Sequence, residues 1–166
     1  IAMVKEIMQS GEIGDIEFLE SCFFTPFYTP ENIRVRRETI GGSVYDLGCY
    51  FTRLMLDLFG GEPDEIKAVG HFTDKRIDDL ATAYFWYNDG RKAVMSCGMC
   101  SGVKGSRFFV YGTKGKIEVP IVFNDCGEKV ITVETENGVR KITEEVPNNY
   151  TREVEKFQNS VENGEK

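Results

Sequence analysis

Between Glu65 and Glu145 the chain repeats one pattern: short runs rich in β-branched and aromatic residues, divided by turn residues. The runs are Glu65 to Phe72, Ala81 to Tyr87, Lys92 to Cys100, Arg107 to Tyr111, Lys116 to Val119, Lys129 to Glu134 and Val139 to Glu145. Asn88-Asp89-Gly90, Thr113-Lys114-Gly115 and Glu136-Asn137-Gly138 lie between members of the series, and Gly there allows the positive φ that tight hairpins require. Successive hairpins pair strands antiparallel. A parallel sheet would need a helical crossover after each strand, and this segment holds none.

Helical signals frame the series. The first runs through about Ser10 and stops at Gly11, after which Gly14 to Phe24 reads as one more strand. Thr25 to Ile40 is irregular, with Pro26, Pro30 and the basic cluster Arg34, Arg36 and Arg37. Ser43 is suited to cap a helix that continues to Phe59 and ends at Gly60-Gly61, with Pro63 just beyond. A closing helix, Asn149 to Asn163, has Tyr150, Val154, Phe157 and Val161 on one face. The expected fold class is α+β: an open, largely antiparallel sheet of about six to eight strands with helices on one face.

A chain of 166 residues with 41% hydrophobic content can bury one core, so residues 1–166 are expected to form a single domain. The net charge of -7 argues against a nucleic-acid surface, which needs clustered cations. No apolar run approaches the roughly 20 residues of a membrane span, so a cytoplasmic protein is expected. Five cysteines at irregular spacing read as reduced thiols. Cys97 and Cys100 form a CxxC, but on a strand they point to opposite faces, which favours packing over a metal site. The sole histidine, His71, reads as a surface or packing residue. Ile1 to Met8 resembles the middle of an amphipathic helix, which gives the expectation of a piece of a longer protein.

Candidate chemistry lies on the helix after Ser43. At about 100° per residue, Asp46, Tyr50, Arg53 and Asp57 fall on one polar stripe. Leu47, Phe51, Leu54, Met55 and Leu58 centre roughly 110° away and can bury against the sheet. A carboxylate and a phenol at the border of a buried face can point together into a cleft. The same spacing also suits an ordinary helix surface, on which Asp46 and Arg53 meet and Tyr50 packs.

Asn32-Ile33-Arg34, Ile40-Gly41-Gly42-Ser43-Val44-Tyr45-Asp46-Leu47-Gly48-Cys49-Tyr50, Arg53 and Phe59-Gly60-Gly61-Glu62-Pro63 together resemble the C-terminal substrate domain of the glucose-fructose oxidoreductase and inositol dehydrogenase (Gfo/Idh/MocA) family. Ser10 to Gly14, Val110 to Gly115 and Tyr150 to Gly164 extend the likeness over nearly the whole chain. Many family members carry His where this chain has Tyr50, and the Gly-Cys-Tyr form is similar to the branch with dihydrodiol and xylose dehydrogenases. The resemblance implies an oxidoreductase acting on a sugar, polyol or related cyclic alcohol, with Tyr50 as acid/base and Asp46 as its orienting partner. Arg34 and Arg53 are the candidate substrate-binding residues. Arg53 stands where the family often has Asp, so that residue's role is not carried over.

The resemblance further implies NAD or NADP bound by an N-terminal Rossmann domain with a Glu-Lys-Pro lysine beside the nicotinamide, neither of which is in this sequence. A phenol ordinarily titrates near about 10, so a Tyr base needs a nearby cation: that lysine, Arg34 or Arg53. Tyr84 and Trp86 alternate on one strand face and would leave an apolar patch on the open sheet. Family members commonly pair there, which implies a homodimer or homotetramer. The alternative is a non-catalytic binding or oligomerisation domain on the same fold.

Overall fold

The computed structural model describes residues 1–102, 104–120 and 126–164. Its strands are β1 (Ile16–Phe24), β2 (Glu65–Phe72), β3 (Asp78–Trp86), β4 (Lys92–Gly98), β5 (Gly105–Gly112), β6 (Gly115–Pro120), β7 (Gly127–Thr135) and β8 (Gly138–Val146). They form one sheet in the order β2-β3-β4-β1-β5-β6-β7-β8. The turn tripeptides make the neighbours β3–β4, β5–β6 and β7–β8 antiparallel hairpins. One pair, β1 with β4, is parallel, with Leu19 opposite Ala93 and Phe23 opposite Cys97. After β1 the chain crosses over the sheet and re-enters at the β2 edge, and two hairpins then lay β4 alongside β1.

Alternation gives the sheet two unlike faces. Leu19 and Phe23 of β1, Ala93, Met95 and Cys97 of β4, and Phe108 and Val110 of β5 are buried on the helix face. Two helices cover that face: α1 (Ala2–Ser10), through Val4 and Ile7, and α2 (Cys49–Phe59), through Phe51, Leu54, Met55 and Phe59. Phe51 meets Phe85 at 6.4 Å between centroids, and Phe59 meets Tyr87 edge-on at 5.1 Å. Each such ring, fully buried, contributes about 1.5–3 kcal/mol of transfer free energy. Lys5 pairs with Asp57 at 2.8 Å and ties α1 to α2. The opposite face carries Tyr84 against Trp86 at 5.9 Å and Phe109 against Tyr111 at 5.8 Å, with Lys67 over Trp86.

Strand β4 ends at Gly98, short of the expected Cys100, and the closing helix and strand β3 also differ from the expectation. The closing helix α3 (Asn149–Asn163) forms as expected, capped by the Asn148 side chain, yet none of its residues is buried. Tyr150, Val154, Phe157 and Val161 are 60–72% exposed. The pattern specified an amphipathic helix, but the helix face of the sheet is already covered by α1 and α2. Strand β3 begins at Asp78, three residues before Ala81, because Asp78 pairs with Phe72 across a register shift. No helix among the described residues is long and apolar enough to cross a membrane.

Candidate active site

The segment between β1 and α2 is folded back on itself by its own backbone. Asn32 Oδ1 accepts from the Arg34 N–H at 3.0 Å and starts a 3-10 turn, Ile33–Val35. The N–H groups of Gly41 and Gly42 donate to Arg36 O and Arg34 O, each at 2.9 Å. A side chain at Gly41 would run into the Arg34 carbonyl. This closure returns Arg34 to the start of the next helix, where its Nε donates to Asp46 Oδ1 at 2.9 Å. The guanidinium also lies over the Tyr28 ring, 5.4 Å from its centroid.

The helix after Ser43 does not begin as an ordinary α-helix. Val44–Gly48 is a π-helical turn, and α2 follows directly at Cys49. Ser43 makes no capping bond of its own; its hydroxyl donates to Asp78 Oδ2 at 2.7 Å. The same carboxylate oxygen accepts the Val44 N–H at 2.7 Å, so the cap comes from β3. Gly48 is buried against β4: a Cβ there would stand 3.1 Å from Met95 Cε and 3.4 Å from Cys97 Sγ. A bare backbone at Gly48 lets the π turn approach the sheet. π turns are concentrated at functional sites because they redirect side chains that an unbroken helix would hold in register.

These facts redraw the stripe. The π turn over Val44–Gly48 takes Asp46 off the 100° step, while Tyr50, Arg53 and Asp57 stay on the regular helix α2. Asp46 is held by Arg34, and its charge together with burial raises the Cys49 thiol above its ordinary value, burial being the larger cause. Tyr50 is half-buried with its ring edge-on to Phe23, 5.8 Å between centroids at 65°. Arg53 is exposed, and its charge acts on Asp57, whose carboxyl is lowered chiefly by the hydrogen bond from Lys5. Arg34 and Asp46 thus pair at the helix start, Tyr50 packs on Phe23 at the beginning of α2, and Arg53 serves the next turn. His71 is exposed, its Nδ1 2.6 Å from Asp79 Oδ1. Cys97 lies in the core with its thiol pushed up to about 11 by burial, and Sγ donates to Ser43 Oγ at 3.8 Å.

Asp78 is the residue that sequence reasoning passed over. It stands 35 positions from Ser43 and just outside the expected strand. The available signal was Gly42, whose φ of 133° and close approach to Asp78 exclude a side chain. Beside this anchor is a cleft of about 300 Å³, lined by Tyr28, Val35, Ile77, Asp78 and Met99 among others. Tyr28 is shared between the cleft wall and Arg34.

A guanidinium–carboxylate pair at a π-helical turn, over an open sheet with helices on one face, defines a class: an α+β domain with a polar site at one helix start. A family model described as the GFO/IDH/MocA C-terminal domain matches residues 1–118, and the chain belongs to that family. The D-xylose 1-dehydrogenase (NADP(+)) 2 of Haloferax volcanii is 30% identical over 162 residues, covering 94% of this chain and 49% of that protein. The trans-1,2-dihydrobenzene-1,2-diol dehydrogenase of Xenopus laevis is 29% identical over 118 residues, 70% of this chain and 35% of its own length. The same fold is seen in the 3-ketoreductase KijD10 of Actinomadura kijaniata, solved with TDP-benzene and NADP. Its TM-score is 0.84 at 22% identity, covering 99% of this chain and 50% of that one. The chain therefore spans about half the length of these relatives, or less.

Proposed function

We propose that within a longer protein this chain is the substrate-side domain of an NADP-dependent oxidoreductase acting on a sugar, polyol or related diol. The observation that carries the reading is the Arg34–Asp46 pair at the helix start that leads into Tyr50. Relatives named as xylose and diol dehydrogenases support the substrate class, and the NADP in their names and complexes supports the cofactor. In this reading Tyr50 exchanges a proton with the substrate hydroxyl. Asp46, its Oδ1 fixed by Arg34, orients that hydroxyl or the phenol. The cleft beside Tyr28 and Val35 takes the part of the substrate remote from the reacting carbon.

In this reading the dinucleotide is held mainly by an N-terminal domain of the longer protein. Phosphates bind at helix N-termini through unclaimed backbone N–H groups. Here the Val44 N–H is taken by Asp78, and those of Tyr150 and Thr151 by Asn148. When bound, the nicotinamide supplies hydride chemistry. Self-association into a homodimer or homotetramer uses the aromatic open face of the sheet, and reduced thiols favour a cytoplasmic setting.

The test is Tyr50→Phe in the longer enzyme at saturating cofactor and sugar. Loss of the hydroxyl alone should lower kcat by about 10² to 10⁴, the usual worth of a general acid or base. Cofactor affinity should hold within twofold, while near-normal kcat would leave Tyr50 a packing residue.

A further inference from the structure

We infer that Asp78 is the positioning residue of this site: reaching from β3, its carboxylate sets where the helix that carries Asp46 and Tyr50 begins. What this does to the helix rests on geometry alone; what it does to the reaction rests on the proposed function.

Three observations converge on it. Ser43 Oγ and the Val44 N–H both donate to Asp78 Oδ2, each at 2.7 Å. Gly42, at φ 133°, leaves vacant the space that Asp78 Oδ1 approaches, and a Cβ there would collide with it. Ser43 is fully buried, and its oxygen accepts from Cys97 Sγ at 3.8 Å, so its single proton is committed to the carboxylate. Sequence and fold were thus matched on both sides of the contact: a residue without a side chain, a buried hydroxyl and an amide, all facing one acid.

The arrangement differs from an ordinary cap. A side chain at the N-cap accepts from amides of its own helix, so helix start and cap can fray together. Asp78 belongs to the sheet, and its bonds locate the first turn relative to β3. The next bond in the chain, Asp46 N–H to Gly42 O at 3.0 Å, builds directly on that anchored residue. Without Asp78, Ser43 becomes a buried hydroxyl lacking its acceptor, the Val44 N–H is orphaned and the π turn loses its fixed point. Asp46 then drifts from Arg34, and Tyr50 follows one turn later. A misplacement of about 1 Å at a reacting group can cost 10²-fold in rate. Asp78 also walls the cleft of about 300 Å³, so one carboxylate sets both the helix and the space beside it.

The experiment compares Asp78→Ala with Asp78→Asn by amide hydrogen exchange in this chain and by steady-state kinetics in the longer enzyme. In Asp78→Ala, protection at residues 44–48 should fall roughly tenfold or more while residues 54–59 keep theirs. Asp78→Asn retains an acceptor oxygen and should restore most of it. The kcat of Asp78→Ala should drop about 10- to 100-fold with KM for the dinucleotide within twofold, and Asp78→Asn should recover part of kcat. If Asp78→Ala does not fold, Ser43→Ala removes one of the two donors and should show the same local loss at smaller amplitude. Unchanged exchange at residues 44–48 would overturn the inference whatever the enzyme does. Lost protection with wild-type kcat would overturn the positioning role while leaving Tyr50 to its own test.

Discussion

Arg34 Nε donates to Asp46 Oδ1 across 2.9 Å, fastening the irregular segment after β1 to the helix it precedes. The pair is partly open, with side chains 42% and 24% exposed, so solvent screens it and its net worth for stability is under about 1 kcal/mol. Arg34→Ala should accordingly shift thermal unfolding by only a few degrees. Its effect on the reaction should be larger: kcat/KM for the sugar should fall about tenfold or more in the longer enzyme, because Asp46 loses the group that aims it. Arg34→Lys keeps a charge but not the planar fork, and should recover stability more than activity. Equal recovery of both would remove the aiming role.

Buried thiols carry a pH signature. Cys97 sits in the core beneath the π turn, and burial pushes its thiol up to about 11, whereas an unfolded chain releases that proton near about 8.5. A folded value raised above the unfolded one means stability that is fully present below about pH 8.5 and is lost as pH rises through 11. Denaturant titrations at pH 8 and pH 10.5 should differ by on the order of 1–3 kcal/mol from this group, and Cys97→Ala should remove that share. At pH 8 a thiol reagent should modify the exposed Cys49 and Cys126 first and reach Cys97 only on unfolding. Prompt labelling of Cys97 in the native protein would contradict the burial argument.

Tyr84 and Trp86 meet in a tilted contact, 5.9 Å between centroids, on the sheet face opposite the helices, and Lys67 lies over the indole. Trp is a frequent energetic anchor where such faces meet. Sedimentation at tens of micromolar should show a dimer or larger species, and Trp86→Glu should weaken association by about 10²-fold or more. Its side chain projects away from the core, so the circular dichroism of that variant should match wild type. A strictly monomeric wild-type protein would refute the association.

Local order was legible residue by residue. Asn88-Asp89-Gly90 and Glu136-Asn137-Gly138 mark hairpins because a positive φ is cheap only at Gly, and Gly90 and Gly138 adopt 96° and 128°. Helix α3 runs from Asn149 to Asn163 as its pattern required, since Asn148 caps it and Gly164 ends it within a few residues of chain. Asp46 and Tyr50 were singled out through the family resemblance of the glycine-rich approach to the helix, and their roles are what Tyr50→Phe tests.

What the sequence by itself determined was therefore the set of strands, the helices and which faces are apolar, because these follow from torsions and side-chain spacing within a few residues. Only the tertiary structure decided the parallel pairing of β1 with β4, the π turn at Val44–Gly48 and the exposure of the α3 stripe. It also decided that Asp46 answers to Arg34 and that Asp78 caps the helix from 35 positions beyond Ser43. Those contacts join groups that are remote along the chain. Their energies exist only after hairpins and crossover have closed, and a pattern read along one strand or one helix carries no record of them.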